Sequence, residues 1–391
     1  MSAAFSTPYD GDFQGLAEQV VASSLQSILR KIASAAEQLN LPPPPLPCQE
    51  QALERLPTHC WRPELGAAIM GLAHQRSEKG LQWIAGQLQV MAFLSGILPS
   101  IQFCMDCPHP LSVAGHFLQE PWLALVGDPQ RLTILDRGGK AVLELDRVAS
   151  SGASPVWARC QDEVLSLGSC AVAVLNQNRW MDYWLPSGST RPFSTNPKEE
   201  LAKYQEAFGL LEEAAPEYYR WVTSVLCEMA FLERVPRGTV SGSFLAYPGH
   251  IQASVWTPIS SIIVLIHECS HQYFNMLIWH GPMARPDAPE VWSVLKKTAR
   301  KLDRVLIGFH AFGNVLLGLG RLLDAGPKVD EADLRGQIDW HLELVLALDQ
   351  QLLPLSDAYL TDMGKALYLP LRNRLLAAEF LPTDRFPLAS A

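Results

Sequence analysis

The sequence predicts an α+β protein, predominantly α-helical, on three observations. Apolar residues recur at helical steps through the first hundred residues and again beyond residue 195. Short alternating runs around Gly138-Gly139 confine strand signals to a stretch near 111–195. The composition, 48% apolar and 18% charged over 391 residues, is that of a chain able to bury a sizeable core, not of a disordered or fibrous one. The expected organisation is an N-terminal helical lobe over 1–110, a small antiparallel strand-rich region over 111–195, and a C-terminal helical domain over 196–391.

Each element has a local reason. Leu16, Val20, Leu25, Ile28, Ile32, Ala35 and Leu39 form one stripe of an amphipathic helix. The run Leu41-Pro42-Pro43-Pro44-Pro45-Leu46-Pro47 stops it, because consecutive prolines impose polyproline II geometry, and it reads as a stiff connector. A second helical pattern covers 63–98 and ends at Pro99. Arg131–Leu135 and Lys140–Leu145 read as strands around a Gly-Gly turn, followed by Glu163–Leu167, Cys170–Leu175 and Trp180–Leu185. Helices resume at Asn196-Pro197, a cap followed by a proline in the first turn, and are expected over Glu199–Ala214 and Glu217–Glu233. Gly238–Ser254 is loop-like with one extended candidate, Gly249–Val255. From Thr257 to about Leu376 the pattern is helical apart from a Pro-rich break at 281–289.

Charge and targeting signals narrow the function. With 31 Lys and Arg against 40 Asp and Glu, the formal net charge is −9, which argues against nucleic-acid binding, since that needs a basic surface to release counterions. The start, MSAAFSTPYDGDF, has neither the basic residues nor the apolar run of a secretory signal. Ile259–Ile266 is short, and Val305–Gly320 is interrupted by His310 and Asn314, so no membrane span is expected. Eight cysteines scattered along the chain read as reduced thiols, and the expected location is the cytoplasm. The pair Cys104-Met105-Asp106-Cys107 has no second pair to complete a zinc ribbon. Gly318-Leu319-Gly320 follows a helical pattern, which excludes a dinucleotide loop.

One constellation carries chemistry. Thr257-Pro258 opens a helix that runs through Ile262, Ile263, Leu265 and Ile266 into His267-Glu268-Cys269-Ser270-His271. In this H-E-x-x-H spacing two imidazoles stand one turn apart on one helix face, about 6 Å along the axis, and can take adjacent positions on one metal. Glu268 can then act as a base or anchor beside it. The third ligand is open at this point. Phe274 and Leu277 stand where a metzincin needs Gly and His. Glu290, nineteen residues past His271, fits a gluzincin spacing but opens a segment rather than lying within a helix. His310, in the apolar stretch Leu302–Asn314, is the better candidate, with Asp303 and Asn314 on the same helical side. Lys296, Lys297, Arg300, Lys301 and Arg304 form a basic run before it, which reads either as a solvated face or as a guanidinium site for a carboxylate co-substrate.

The segments Ile262–His271 and Arg300–Asn314 together resemble the HExxH-motif family found with peptide-modification gene clusters. Ser241-Gly242-Ser243 and Leu360–Tyr368 extend the resemblance to roughly residues 195–375, while the first hundred residues match nothing in it. Cys269-Ser270 departs from the residues usual inside the motif. The resemblance implies a non-haem Fe(II), 2-oxoglutarate-dependent β-hydroxylase of ribosomally made precursor peptides. It implies His267, His271 and His310 as metal ligands, and Arg300 or Arg304, with Asn314, on the 2-oxoglutarate side. Open positions on such a metal would take the oxoacid and oxygen. The alternatives are a zinc peptidase with Glu268 as base, and a peptide-binding scaffold with a vestigial site.

Overall fold

The computed structural model describes residues 2–42, 44, 56–74, 77–148, 155–159, 164–167, 170–175, 192–195, 197–235, 239–254, 256–293, 295–326 and 329–382. Trp180–Leu185, the cap Asn196 and most of the proline run lie outside them. The fold is α+β and predominantly α-helical. Its two compact units are interleaved along the chain, unlike the three consecutive lobes expected. One comprises Met1–Leu16, Leu210–Trp221 and Ile262–Ala391; the other comprises Ala17–Gly209 and Val222–Ser261.

In the second unit the helices Pro63–His74 and Glu78–Leu94 are followed by β1 (Ile101–Asp106) and the hairpin β2 (Leu111–Val113) and β3 (His116–Leu118). Then come β4 (Trp122–Gly127), β5 (Arg131–Leu135), β6 (Ala141–Val148) and β7 (Val156–Ala158), which with β1 make an antiparallel sheet in the order β1-β4-β5-β6-β7. The turn between β5 and β6 is the predicted one. Asp136 Oδ1 accepts from the amides of Gly138 and Lys140, and Gly139 takes φ +80° at no steric cost. Phe93, Leu123, Leu125, Ile134, Leu145 and Trp157 fill the core below this sheet. A buried polar link ties its helices in: Arg62 Nε donates to Glu64 Oε2 at 2.7 Å, and Glu64 Oε1 accepts from Ala114 N at 2.7 Å.

The second sheet corrects the expectation that strands are confined to 111–195 and purely antiparallel. It contains β8 (Val164–Leu167), β9 (Cys170–Leu175), β10 (Glu228–Phe231), β11 (Ser241–Gly242) and β12 (His250–Ala253), in the order β11-β12-β10-β9-β8. β10 is parallel to both β9 and β12. The helix expected over Glu217–Glu233 is Pro216–Val225, and β10 takes over where it ends. All four β10 residues are buried. A fully buried strand shows no alternation, so its apolar residues read equally well as a helix extension.

The first unit is built on four helices, Pro258–Ile278, Leu302–Ala325, Glu331–Tyr359 and Asp362–Ala377. Thr257 caps the first as predicted, its Oγ1 accepting from Ser260 N at 3.1 Å. Leu302–Ala325 is long and apolar enough to cross a membrane by length and composition, yet most of it is buried inside the unit, as for a core helix. Gly318 lets it approach its neighbour, since a Cβ there would stand 2.5 Å from Ile266 Cδ1. The basic run is not helical. β13 (Val291–Ser293) and β14 (Thr298–Arg300) form a hairpin whose turn holds Lys296 and Lys297, and Arg304 lies in the first turn of the following helix.

An N-terminal segment threads this unit. Phe5 packs on Tyr273 with ring centroids 5.0 Å apart, and Tyr273 packs on Trp221 at 3.9 Å. Pro370 lies within the helix Asp362–Ala377. Beside it the Ser6 hydroxyl enters the helical ladder: Ser6 Oγ donates to Leu367 O at 2.6 Å and accepts from Leu371 N at 2.9 Å. One buried hydroxyl thus satisfies both backbone groups of an opened i to i−4 pair.

Candidate metal centre

The helix Pro258–Ile278 presents His267 and His271 half-buried on one face, as the four-residue spacing requires. Their ring centroids are 4.5 Å apart at 75°. Burial holds the His267 pKa down at about 4. It drives that of His271 well below the usual range, with the cationic forms of His267 and His310 and the Arg304 charge adding to it. Both imidazoles are therefore neutral at pH 7, the form that binds metals. His271 Nδ1 is buried without a hydrogen-bond partner. Glu268, between them in sequence, is 2% exposed. Ser270 bonds back to Ile266 O at 2.7 Å, and Cys269 is fully buried, so the two unusual motif residues face the packing.

His310 is on the helix Leu302–Ala325 as expected, and one of its nitrogens holds the N-terminal segment. It is completely buried, and its Nε2 lies 2.7 Å from the Phe5 carbonyl. That nitrogen donates to the carbonyl, while Nδ1 is buried without a hydrogen-bond partner. Asn314 is likewise committed: Nδ2 donates to Ser6 O at 2.9 Å and to His310 O at 2.8 Å, and Oδ1 accepts from Tyr218 OH at 3.0 Å. Both residues clamp the N-terminal segment, His310 through Nε2 and Asn314 through Nδ2. A polar side chain in an apolar helix signals a buried partner, and the periodicity of one helix cannot say whether that partner is a metal or a backbone 305 residues away.

The two arginines also separate. Arg304 is exposed in the first turn of the long helix and lies within electrostatic reach of His271. Arg300 ends β14, paired with Val291 across the hairpin. Glu290 is exposed ahead of that hairpin. Among the described residues, no three His, Cys, Asp or Glu side chains stand together as a metal-holding group. The pair fits two positions of a metal, and the third is not assembled around it.

A neighbour of the pair gave no signal in the sequence. The Phe312 ring lies 4.7 Å from His267, 5.8 Å from His341 and 6.0 Å from Trp340. Trp340 stacks edge-on against His341 at 4.6 Å and is half exposed, beside a centre whose other rings are more enclosed. His341 lies mid-helix among ordinary spacers, and nothing in its local pattern ties it to a motif seventy residues earlier. The cysteine pair near β1 offers no rival site. Cys104 is exposed, and the Cys107 thiol is pushed up to about 12 by burial and by Asp106 and Glu120, away from the thiolate a metal requires. No protein-family model and no curated protein matches the chain.

Proposed function

We propose that this protein is a non-haem Fe(II), 2-oxoglutarate-dependent oxygenase that hydroxylates a β-carbon in a ribosomally made precursor peptide, acting in the cytoplasm. The observation that carries the reading is the pair of neutral imidazoles on one helix face with the Arg304 guanidinium within electrostatic reach. His267 and His271 would hold the iron, which when bound supplies oxygen activation coupled to decarboxylation of the oxoacid. Arg304, at the mouth of the site, draws the carboxylate of the oxoacid and orients it by charge-assisted hydrogen bonds. Glu268 is held out of solvent beside the pair, where its carboxylate can accept a hydrogen bond from a ligand imidazole or a proton from bound water. Trp340 offers an exposed ring at the rim for a peptide side chain.

The zinc-peptidase reading draws less support, because Glu290, the carboxylate it would recruit, is exposed ahead of the hairpin. The test is an anaerobic preparation given Fe(II), 2-oxoglutarate and a candidate peptide, then oxygen. The expected result is succinate with one oxygen added to the peptide. Cleaved peptide without succinate would replace this reading with the zinc one. With Arg304→Gln, the KM for 2-oxoglutarate should rise about tenfold or more, as for loss of a charge-assisted contact.

A further inference from the structure

We infer that a cavity of about 540 Å³ in the first unit binds an amphiphilic carboxylate, one carboxylate head on an apolar body, through Arg321 and the Tyr9 hydroxyl. This volume falls in the range of small-molecule sites. The apolar wall comes from three helices. Leu317 stands one turn before Arg321 on Leu302–Ala325, Ile338 belongs to Glu331–Tyr359, and Ala377 and Phe380 lie at and just past the end of Asp362–Ala377. Gly320 makes room for Phe380, since a Cβ there would stand 3.0 Å from the Phe380 ring. His267, His271 and Arg304 are not among the described lining residues, so this site stands apart from the metal centre.

The polar end gathers donors that lack an acceptor. Two guanidiniums flank the Tyr9 ring, with Arg321 Cζ 5.6 Å and Arg374 Cζ 5.1 Å from its centroid. Arg374 is taken up by the fold: its Nε donates to Asp10 Oδ1 and its Nη2 to Tyr9 O, each at 2.7 Å. Arg321 is exposed, and among the described residues it makes no ion pair; Glu217 and Asp324 lie within its electrostatic reach without closing one. Tyr9 Oη is buried, and among the described residues nothing accepts its proton. Burial raises the pKa of this phenol, so at pH 7 it keeps that proton and stays a donor. The neighbouring Arg321 guanidinium has no lone pair to offer it. A buried O–H left unmade costs free energy, and the partner that would serve both groups is an acceptor with negative charge. Of the charged residues described on the lining, two are cationic and one, Asp324, is an exposed carboxylate that can stay in water. The walls decide what carries the charge. Inorganic phosphate would leave them uncovered, whereas an alkyl or aryl body buries them.

The experiment is titration calorimetry of the full-length protein with decanoate, against acetate, which has the head alone, and 1-decanol, which has the body alone. Decanoate should saturate a single site, with acetate and decanol each at least about tenfold weaker. Arg321→Met keeps the aliphatic bulk at an exposed position and should weaken decanoate about tenfold or more, as for loss of a charge-assisted contact, while Arg321→Lys should recover part of it. Tyr9→Phe keeps the ring between its cations and should weaken binding several-fold. Ala377→Trp, which fills the cavity, should abolish it. Lys140→Met, an exposed cation removed from the β5–β6 turn, should change nothing. No saturable decanoate binding, equal affinity for decanol, or wild-type affinity in any of Arg321→Met, Tyr9→Phe and Ala377→Trp overturns the inference.

Discussion

His310→Leu separates a structural histidine from a ligand by the pH at which its effect appears. Burial holds the folded pKa of His310 at about 4, against carbonyl contacts that raise it, whereas an exposed imidazole titrates near 6.5. Between these values the unfolded chain takes up a proton that the folded chain refuses. The contribution of the neutral ring is thus fully present above 6.5 and is lost as the pH falls toward 4. Its full extent is about 3 kcal/mol. At pH 7.5 the substitution removes the donor at 2.7 Å from Phe5 O and leaves a buried carbonyl unpaired, a loss of about 1–3 kcal/mol. As the solution is acidified, wild type gives up its term and the leucine variant has none to give up. The gap should close by pH 4.5 and can reverse there. Other histidines titrate in both proteins and cancel in the difference. Urea unfolding followed by tryptophan fluorescence at pH 7.5, 6 and 4.5 reads it out, with Trp221 in the same core as a native probe. A gap that stays constant over this range would refute the argument.

Three further substitutions test the packing that positions the site. Ser6→Ala strands Leu371 N and Leu367 O beside Pro370, and should cost about 2 kcal/mol by urea midpoint, whereas Ser34→Ala on an exposed helix face should cost almost nothing. Gly318→Val drives a side chain into Ile266, one residue before the motif, so a loss of about 1–3 kcal/mol should come with weaker Co(II) binding; full stability would show that the helices are not held that close. Arg62→Met leaves Glu64 buried without its cation and should cost about 3–5 kcal/mol, with Arg62→Met/Glu64→Gln recovering part of it; a double loss equal to the sum of the Arg62→Met and Glu64→Gln losses would mean the pair is not coupled.

How much of this was legible in the sequence depends on the range over which each signal acts. The β5–β6 turn, the Thr257 cap and the alignment of His267 with His271 are decided within five residues, and all three appear in the structure as read. Features decided by distant partners did not come through. β10 lost its alternation because both faces are covered, and Ser6 lies 361 residues from the carbonyl it bonds. His310 is the sharpest instance. Chemistry allowed the sequence to demand a partner for a histidine in an apolar helix, and His310 has one; it is the Phe5 carbonyl. His341 is alike in kind: its Nδ1 finds a carbonyl one turn back, while its Nε2, like His310 Nδ1, is buried without a partner. His310 and Asn314 clamp Phe5 and Ser6 in place across more than three hundred residues of chain, while Phe312 lies beside His267 and beside the Trp340-His341 pair, contacts that no local pattern announces.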